Sequence, residues 1–128
     1  MVREITTVSV AVTTHCNMKC PDCCCGIPMR EPSKREFYDW AYFEKAASVF
    51  YGMHRIHLAG GEPTLHPQFS EFAPKFRELF GCEKLTIETN GWGFKRFPET
   101  FKVFDVIYAS HYTENTFKDS PDHASTVA

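Results

Sequence analysis

The chain has 128 residues, of which 43% are hydrophobic, and it carries 14 Lys and Arg against 16 Asp and Glu. That length suits one domain of about 100–150 residues with its own hydrophobic core. A formal net charge of -2 argues against an electrostatic binder of nucleic acid or membrane surfaces. Apolar runs are short and broken by charges, so no membrane span is predicted. The N-terminus has the pattern of a strand and not of a signal peptide.

The first predicted unit is a strand followed by a helix. Ile5–Val12 is β-branched and apolar, which favours a buried strand. Ser33 and Glu36 have the spacing of a capping box, so we expect the helix to begin near them. Apolar residues at i, i+3, i+4 and i+7 indicate its buried face, namely Phe43, Ala46, Ala47 and Phe50.

A second unit is predicted from His54. Its strand is followed by a turn at Gly60 and Gly61, and a helix is expected to begin near Pro67. Pro74 lies within the apolar pattern of this helix, which predicts a kink or two short helices.

Two further strands are predicted downstream. The third covers Lys84–Thr89, and a weaker helix over Pro98–Val103 leads to a fourth strand over Asp105–Ala109. Alternating strands and helices of this length predict an α/β fold with a parallel sheet and right-handed crossovers. Residues 113–128 are polar without a reliable period, so we interpret them as a tail beyond a domain that covers residues 1–112.

Chemically unusual residues follow each predicted strand. Ligands of parallel α/β sheets bind beyond the carboxyl ends of the strands. We therefore expect one site built from four loops, which are the cysteine-rich loop, Gly60-Gly61-Glu62-Pro63, Thr89-Asn90-Gly91 and Ser110-His111.

The cysteines are clustered. Five of the six fall between Cys16 and Cys25, and the sixth is Cys82. Without an export signal this cluster predicts metal or redox chemistry in a reducing cytoplasm, and not a disulfide framework. Structural zinc sites normally use two ligand pairs separated by a dozen or more residues, and the sequence offers no second pair.

Closely spaced thiolates in one loop can hold a single cuboidal iron–sulfur cluster. Ligation by Cys16, Cys20 and Cys23 would leave one iron open to a small molecule. A fourth thiolate from Cys24 or Cys25 would instead give the closed cluster of an electron carrier. Counting cysteines does not decide between these arrangements.

The spacing Cys16-x3-Cys20-x2-Cys23 resembles the signature of the radical S-adenosylmethionine (SAM) superfamily. Gly60-Gly61-Glu62-Pro63 is similar to the second-strand motif of that superfamily, and Thr89-Asn90-Gly91 to a frequent ending of its third strand. The second-strand motif is most similar to those of members that modify peptides or build molybdopterin. Together the motifs span most of the chain.

The resemblance implies a partial parallel barrel, of which this chain holds about four βα units. It also implies a [4Fe-4S] cluster on the three cysteines, with SAM bound to the open iron. Reductive cleavage of SAM would give a 5′-deoxyadenosyl radical that abstracts hydrogen from an unknown substrate. A reducing donor such as flavodoxin or ferredoxin would supply the electron.

The resemblance also implies which residues contact SAM. Gly60 and Gly61 would let the backbone approach the ligand, and Glu62 or the neighbouring carbonyls would meet the methionine ammonium. Asn90 and Ser110 would donate to ribose or carboxylate oxygens.

Two features depart from the family pattern. Asp22 stands where the family usually has an aromatic residue beside adenine. The family barrel also holds more βα units than the four predicted here, so a partner subunit or a further C-terminal half is expected to complete the site. The alternative function is a non-enzymatic zinc-binding or iron–sulfur module that acts as an electron relay.

Overall fold

The computed structural model describes residues 6–16 and 36–110 of the chain. They contain a four-stranded parallel sheet in the order β1-β2-β3-β4, whose strands are Thr7–Thr13, Arg55–Gly60, Lys84–Thr89 and Val106–Ala109. The intervening helices, α1 to α3, are Trp40–Phe50, Phe69–Phe80 and Pro98–Phe101, and a short 3₁₀ turn covers Pro63–Leu65. The predicted α/β fold with a parallel sheet is confirmed. The proposed tail, 113–128, lies outside the described residues.

One face of the sheet forms the hydrophobic core with α1 and α2. Because side chains alternate along a strand, every second residue points to this face, and the buried strand residues there are Val10, Val12, Ile56, Leu58, Leu85 and Ile87. The helices contribute mainly phenylalanines, which are Phe43, Phe69, Phe72, Phe76 and Phe80. Phe43 and Ala47 of the predicted α1 stripe are therefore core, whereas Phe50 is half-buried and does not belong to the core cluster.

The other side of the sheet, which we call the open face, carries polar and small residues. They are Thr7, Ser9, Ala11, Arg55, His57, Ala59, Lys84, Thr86, Glu88 and Tyr108, together with the apolar Val106. Most of these residues are half-buried or exposed, although Thr86 is buried. Among residues 6–16 and 36–110, no helix is long and apolar enough to cross a membrane.

Helix α1 begins later than the sequence predicted. Asp39 is its N-cap, and the Asp39 Oδ1 atom accepts a hydrogen bond of 2.9 Å from the Tyr42 amide. Glu36 lies before the helix, where its backbone pairs with Thr14. The capping-box prediction is wrong because Asp39 supplies the side-chain acceptor that the first turn needs, next to the apolar stripe. Ser33 lies outside the described residues.

Helix α2 is continuous from Phe69 to Phe80 although Pro74 lies inside it. The alternative of two short helices is therefore wrong. Proline removes one helical hydrogen bond, but buried side chains before and after Pro74 anchor both halves in the core. The helix begins two residues after Pro67 and ends at Gly81, which adopts the left-handed conformation with φ +57°.

Candidate functional site

The two ends of the cysteine loop are tied together at its base. Thr13 and Phe37 form an antiparallel bridge, and the Thr14 amide donates to the Glu36 carbonyl at 2.9 Å. Two threonine side chains add to this pairing. The Thr13 hydroxyl donates to the Glu36 carbonyl at 2.7 Å, and the Thr14 hydroxyl accepts from the Glu36 amide at 2.7 Å. Cys16 therefore follows a firmly held segment at the carboxyl end of β1.

Aromatic rings reinforce this base. The His15 ring stacks on Phe37, with ring centroids 4.0 Å apart, and Phe37 meets His66 edge-on at 5.5 Å. The buried His66 ring accepts from the Gln68 amide at Nδ1, and its Nε2 lies 2.6 Å from the Tyr38 carbonyl oxygen. Because a carbonyl can only accept, Nε2 carries the proton. His66 thus links the start of α2 to the segment beside Cys16.

Gly60 and Gly61 are required by the backbone that precedes Cys16. The Gly61 amide donates to the Thr13 carbonyl and the Glu62 amide to the His15 carbonyl, both at 2.8 Å. A Cβ atom on Gly60 would lie 2.3 Å from the Thr13 oxygen, and one on Gly61 would lie 2.0 Å from the His15 oxygen. Gly60 also has φ +115°, which disfavours other residues. The loop after β2 is thereby held against the start of the cysteine loop.

The buried Glu62 carboxylate joins the loops after β2 and β3 through hydrogen bonds. Its Oε2 atom accepts from the Thr64 amide at 3.1 Å, from the Thr64 hydroxyl at 2.5 Å and from the Thr89 hydroxyl at 2.7 Å. Its Oε1 atom accepts from the Asn90 amide at 2.7 Å. Burial raises the pKa of the Glu62 carboxyl, and these hydrogen bonds oppose that rise.

This arrangement bears on the predicted contact of Glu62 with SAM. The side chain is 1% exposed and accepts from protein donors, so its carboxylate holds the loops after β2 and β3 together. The two contacts considered from the sequence, the carboxylate and the neighbouring backbone carbonyls, are not distinguished by this arrangement. A direct contact with SAM stays a prediction.

Asn90 and Ser110 lie at the same edge. The buried Asn90 side chain accepts from the Trp92 amide at 2.9 Å through Oδ1, which shapes the turn after β3. The Ser110 amide donates to the Thr89 carbonyl at 2.9 Å, which places Ser110 beside that turn. Their proposed roles toward SAM stay predictions.

The structure thus places six of the predicted site residues at the carboxyl edge of the sheet, namely Cys16, Gly60, Gly61, Glu62, Asn90 and Ser110. Six further residues that the sequence analysis singled out lie outside the described part of the chain, namely Cys20, Asp22, Cys23, Cys24, Cys25 and His111. Within the described ranges no three His, Cys, Asp or Glu side chains form a metal-binding group. Cys82 precedes β3 at the opposite end of the strands, and burial raises the pKa of its thiol.

Sequence reasoning named Thr89 only as part of the Thr89-Asn90-Gly91 motif and missed three other threonines of this site. Thr64 and Thr89 bind Glu62, while Thr13 and Thr14 fasten the base of the cysteine loop. The available signal was their position, since Thr13 and Thr14 precede the first cysteine closely and Thr64 follows Glu62 by two residues. Threonine hydroxyls at strand ends commonly bond to nearby backbone groups.

A comparison with models of protein families shows to which family the chain belongs. The model of the radical SAM superfamily matches residues 10–112. The chain belongs to the radical SAM superfamily. The resemblance inferred from the cysteine and glycine motifs is therefore confirmed, and members of this superfamily are enzymes that use a [4Fe-4S] cluster and SAM.

Curated relatives of this radical SAM chain include two GTP 3',8-cyclases. The chain is 30% identical over 105 residues to the protein of Heliobacterium modesticaldum, a match that covers 79% of this chain and 32% of that protein. It is 32% identical over 103 residues to the protein of Campylobacter jejuni, covering 78% and 32% respectively. The match spans about a third of the length of these relatives.

A solved structure shares the fold of the radical SAM chain. The crystal structure of BtrN in complex with AdoMet and 2-DOIA is similar with a TM-score of 0.64 and 20% sequence identity. The likeness covers 100% of this chain and 57% of the BtrN chain.

The described residues fit the cofactors of the superfamily. Cys16 brings a thiol, the soft ligand that iron–sulfur clusters require, to the carboxyl edge where parallel sheets bind ligands. Beside it, Gly60 and Gly61 bring the loop after β2 against the Thr13 and His15 carbonyls, in space that a Cβ atom would fill.

Proposed function

We propose that this chain carries the cluster- and SAM-binding part of a radical SAM enzyme acting on a substrate not yet identified. When held by Cys16, Cys20 and Cys23, the reduced cluster would supply one electron for cleavage of SAM to methionine and a 5′-deoxyadenosyl radical, which would abstract hydrogen from the substrate. The observation that carries this proposal is the junction of three loops at one edge, where Glu62 is bonded to both the cysteine-loop base and the loop after β3.

Cys16, Cys20 and Cys23 are the proposed cluster ligands. Cys16 lies at the sheet edge, and the spacing of the other two matches the superfamily signature. Three protein thiolates leave one iron available to the amino and carboxylate groups of SAM. The protein itself supplies orientation and a shaped environment.

The bare backbone at Gly60 and Gly61, together with the Glu62 carbonyl, is the proposed contact for the methionine ammonium of SAM. Asn90 and Ser110 are the proposed donors to its ribose or carboxylate oxygens. The Glu62 carboxylate fixes the relative positions of the loops after β2 and β3, because it accepts hydrogen bonds from the Asn90 amide and the Thr89 hydroxyl.

We also propose that a flavodoxin or ferredoxin reduces the cluster and that the protein works in the cytoplasm. The proposed donor follows from the electron that the cluster must receive, and the cytoplasmic location from the clustered thiols, which need a reducing compartment to remain available to iron.

Electron paramagnetic resonance of anaerobically reconstituted, dithionite-reduced protein tests this function. We expect a reduced-cluster signal whose shape changes when SAM is added. Cys16→Ala should lose most of the bound iron, whereas the matched control Cys82→Ala should retain it because Cys82 is buried at the other end of the strands.

The alternative is a closed cluster or a zinc site without enzymatic function. A signal indifferent to SAM, restored to SAM sensitivity in Cys24→Ala or Cys25→Ala, would show a fourth thiolate and an electron relay. Zinc in place of iron and sulfide would overturn the cluster assignment.

A further inference from the structure

The side chains on the open face of the sheet differ in size and charge between its carboxyl edge and its amino end. Ala11 and Ala59 are register partners near the carboxyl edge, so the side chains there are small. His57 follows toward the amino end, and Arg55 lies at the beginning of β2. With a rise of about 3.3 Å per residue, Arg55 lies about 13 Å from Ala59 along the strand.

Arg55 is a half-buried cation without an anion among the described residues. Its Nη1 atom donates to the Tyr108 hydroxyl oxygen at 3.2 Å. Its Nε atom is shielded from solvent and has no acceptor there, and none of the described carboxylates lies within ion-pair distance of Arg55. Partly buried charges are normally compensated. A ligand anion would provide this compensation.

Lys84 provides a contrast in the same row. It pairs with Arg55 in register across β2 and β3, but it is exposed and its charge attracts the Asp105 carboxylate. Lys84 is therefore an exposed cation, whereas Arg55 is a half-buried cation with no described carboxylate within ion-pair distance.

Tyr108 and His57 shape the surface above Arg55. The two rings meet edge-on with centroids 5.6 Å apart, which fixes the Tyr108 hydroxyl over Arg55. The His57 Nδ1 atom lies 2.7 Å from the Thr86 hydroxyl, and Nε2 lies 3.7 Å from the Glu88 carboxylate. Tyr108 is the register partner of Glu88 near the carboxyl edge, so the Arg55 side chain, which reaches the Tyr108 hydroxyl, extends from the amino end along the open face.

We propose that the open face binds a substrate whose carboxylate or phosphate group contacts Arg55 and Tyr108. Its reacting carbon then lies near Ala11 and Ala59, an assignment that rests on the proposed radical SAM function. The guanidinium provides several donors for an oxyanion. The Tyr108 oxygen accepts from Arg55, which leaves its proton to donate to the ligand.

Calorimetric titration of the reconstituted protein with inorganic pyrophosphate and, separately, with glutarate tests the anion site. Arg55→Gln should weaken binding of the preferred anion by about tenfold or more, since it removes the charged donor. The matched control Lys84→Gln should change it by less than about threefold, because exposed charges are screened. The preferred probe distinguishes phosphate from carboxylate recognition.

Tyr108→Phe gives a second, gentler variant that keeps the ring against His57. It should weaken binding of the same anion severalfold, and it becomes the test of the anion site if Arg55→Gln does not fold. Absence of binding of both anions to the unmodified protein at millimolar concentration would overturn the proposal. So would an equal loss in Arg55→Gln and Lys84→Gln, which would indicate diffuse attraction only.

The SAM-dependent change in the paramagnetic resonance signal separates this proposal from the function on which it rests. Arg55→Gln should retain that change. If the unmodified protein lacks it while anion binding still depends on Arg55, the radical SAM function fails and the anion site stands. If SAM changes the signal but anion binding is independent of Arg55, the anion site fails and the radical SAM function stands.

Discussion

Glu62 and Asn90 are separated by 28 positions in the chain and are joined by one carboxylate–amide hydrogen bond of 2.7 Å. The other partners of Glu62 are the Thr64 amide and the hydroxyls of Thr64 and Thr89. The hydroxyl groups can rotate to accept instead of donate, whereas the two backbone amides cannot. The amides therefore make an anionic or fully accepting side chain necessary at this position.

Glu62→Gln tests this requirement. The amide group of glutamine can present one accepting oxygen, so its nitrogen must face a backbone N–H of Thr64 or Asn90. We expect the free energy of unfolding to fall by about 1–3 kcal/mol, the cost of leaving a buried donor without an acceptor. Urea unfolding measures this change. The exposed control Glu44→Gln should change it little, and a Glu62→Gln protein as stable as the parent would contradict the role of Glu62.

Gly61→Ala tests the close approach beside Cys16. The added Cβ would lie 2.0 Å from the His15 carbonyl oxygen, so one of the two loops must move. We expect the SAM-dependent change in the paramagnetic resonance signal to be lost and the melting temperature to fall.

Gly52→Ala is the control for a glycine substitution without a clash. Gly52 has φ +83°, but an added Cβ would meet nothing within 4 Å. Only backbone strain of about 1 kcal/mol is expected, with the SAM response preserved. An intact SAM response in Gly61→Ala would show that the two loops need not touch.

Among the elements, α2 is fastened to the sheet by a charged pair near its C-terminal end. Arg77 donates through Nη2 to the Asp105 carboxylate at 2.9 Å, and the same carboxylate oxygen accepts from the Leu85 amide at 2.8 Å. The Leu85 hydrogen bond, followed by the bond from Arg77, lowers the pKa of Asp105 from its ordinary value of 3.8.

The stability that Asp105 provides should therefore depend on pH. A lowered pKa means that its contribution is fully present above the unfolded value and is lost as the pH falls toward the folded value. The stability difference between the parent and Asp105→Asn, measured by urea unfolding, should shrink between about pH 5 and pH 3. The control Glu78→Gln has an exposed side chain and should show a flatter dependence. A difference that stays constant over this range would contradict the assignment.

The elements whose first and last residues were predicted correctly are those whose ends are determined by residues close by in the sequence. β3 occupies Lys84–Thr89 as expected, because its apolar residues alternate and turn residues follow. The start of α1 was misplaced, since Ser33 and Glu36 have capping-box spacing but Asp39 makes the observed cap. Local patterns do not rank competing caps, and tertiary contacts decide between them.

The contrast between local sequence patterns and tertiary contacts also applies to the candidate site. Parallel topology alone predicted that Gly60, Glu62, Asn90 and Ser110 would reach one edge. It could not predict that the Glu62 carboxylate would be used within the protein, because its donors at Thr89 and Asn90 come from a different strand. The contacts of a polar side chain at a loop junction depend on the geometry of both loops.

At the scale of the whole molecule, β4 is an edge strand of the described sheet. Its side chains Val106, Ile107 and Tyr108 are 43%, 38% and 45% exposed. An exposed apolar edge with unpaired backbone groups can pair with another chain. We expect association between copies of the chain to begin at this strand.

Ile107→Lys should reduce that association, because a charged side chain on an edge strand opposes pairing. Light scattering at increasing protein concentration measures it. Val49→Lys is the matched control, since Val49 is 70% exposed on α1 and away from the sheet edge. Equal suppression by both variants would indicate a general effect of charge instead of pairing along β4.

The sequential strand order also determines when the site can form during synthesis. Each described strand pairs with the next one along the chain, so the sheet can grow as the polypeptide emerges from the ribosome. At about 5–20 residues per second, the 28 positions from Glu62 to Asn90 take about 1–6 seconds to translate. During that interval the Glu62 carboxylate lacks two of its donors, which belong to Thr89 and Asn90. A nascent chain can therefore expose its first cysteines to iron before the loops that surround them have locked together.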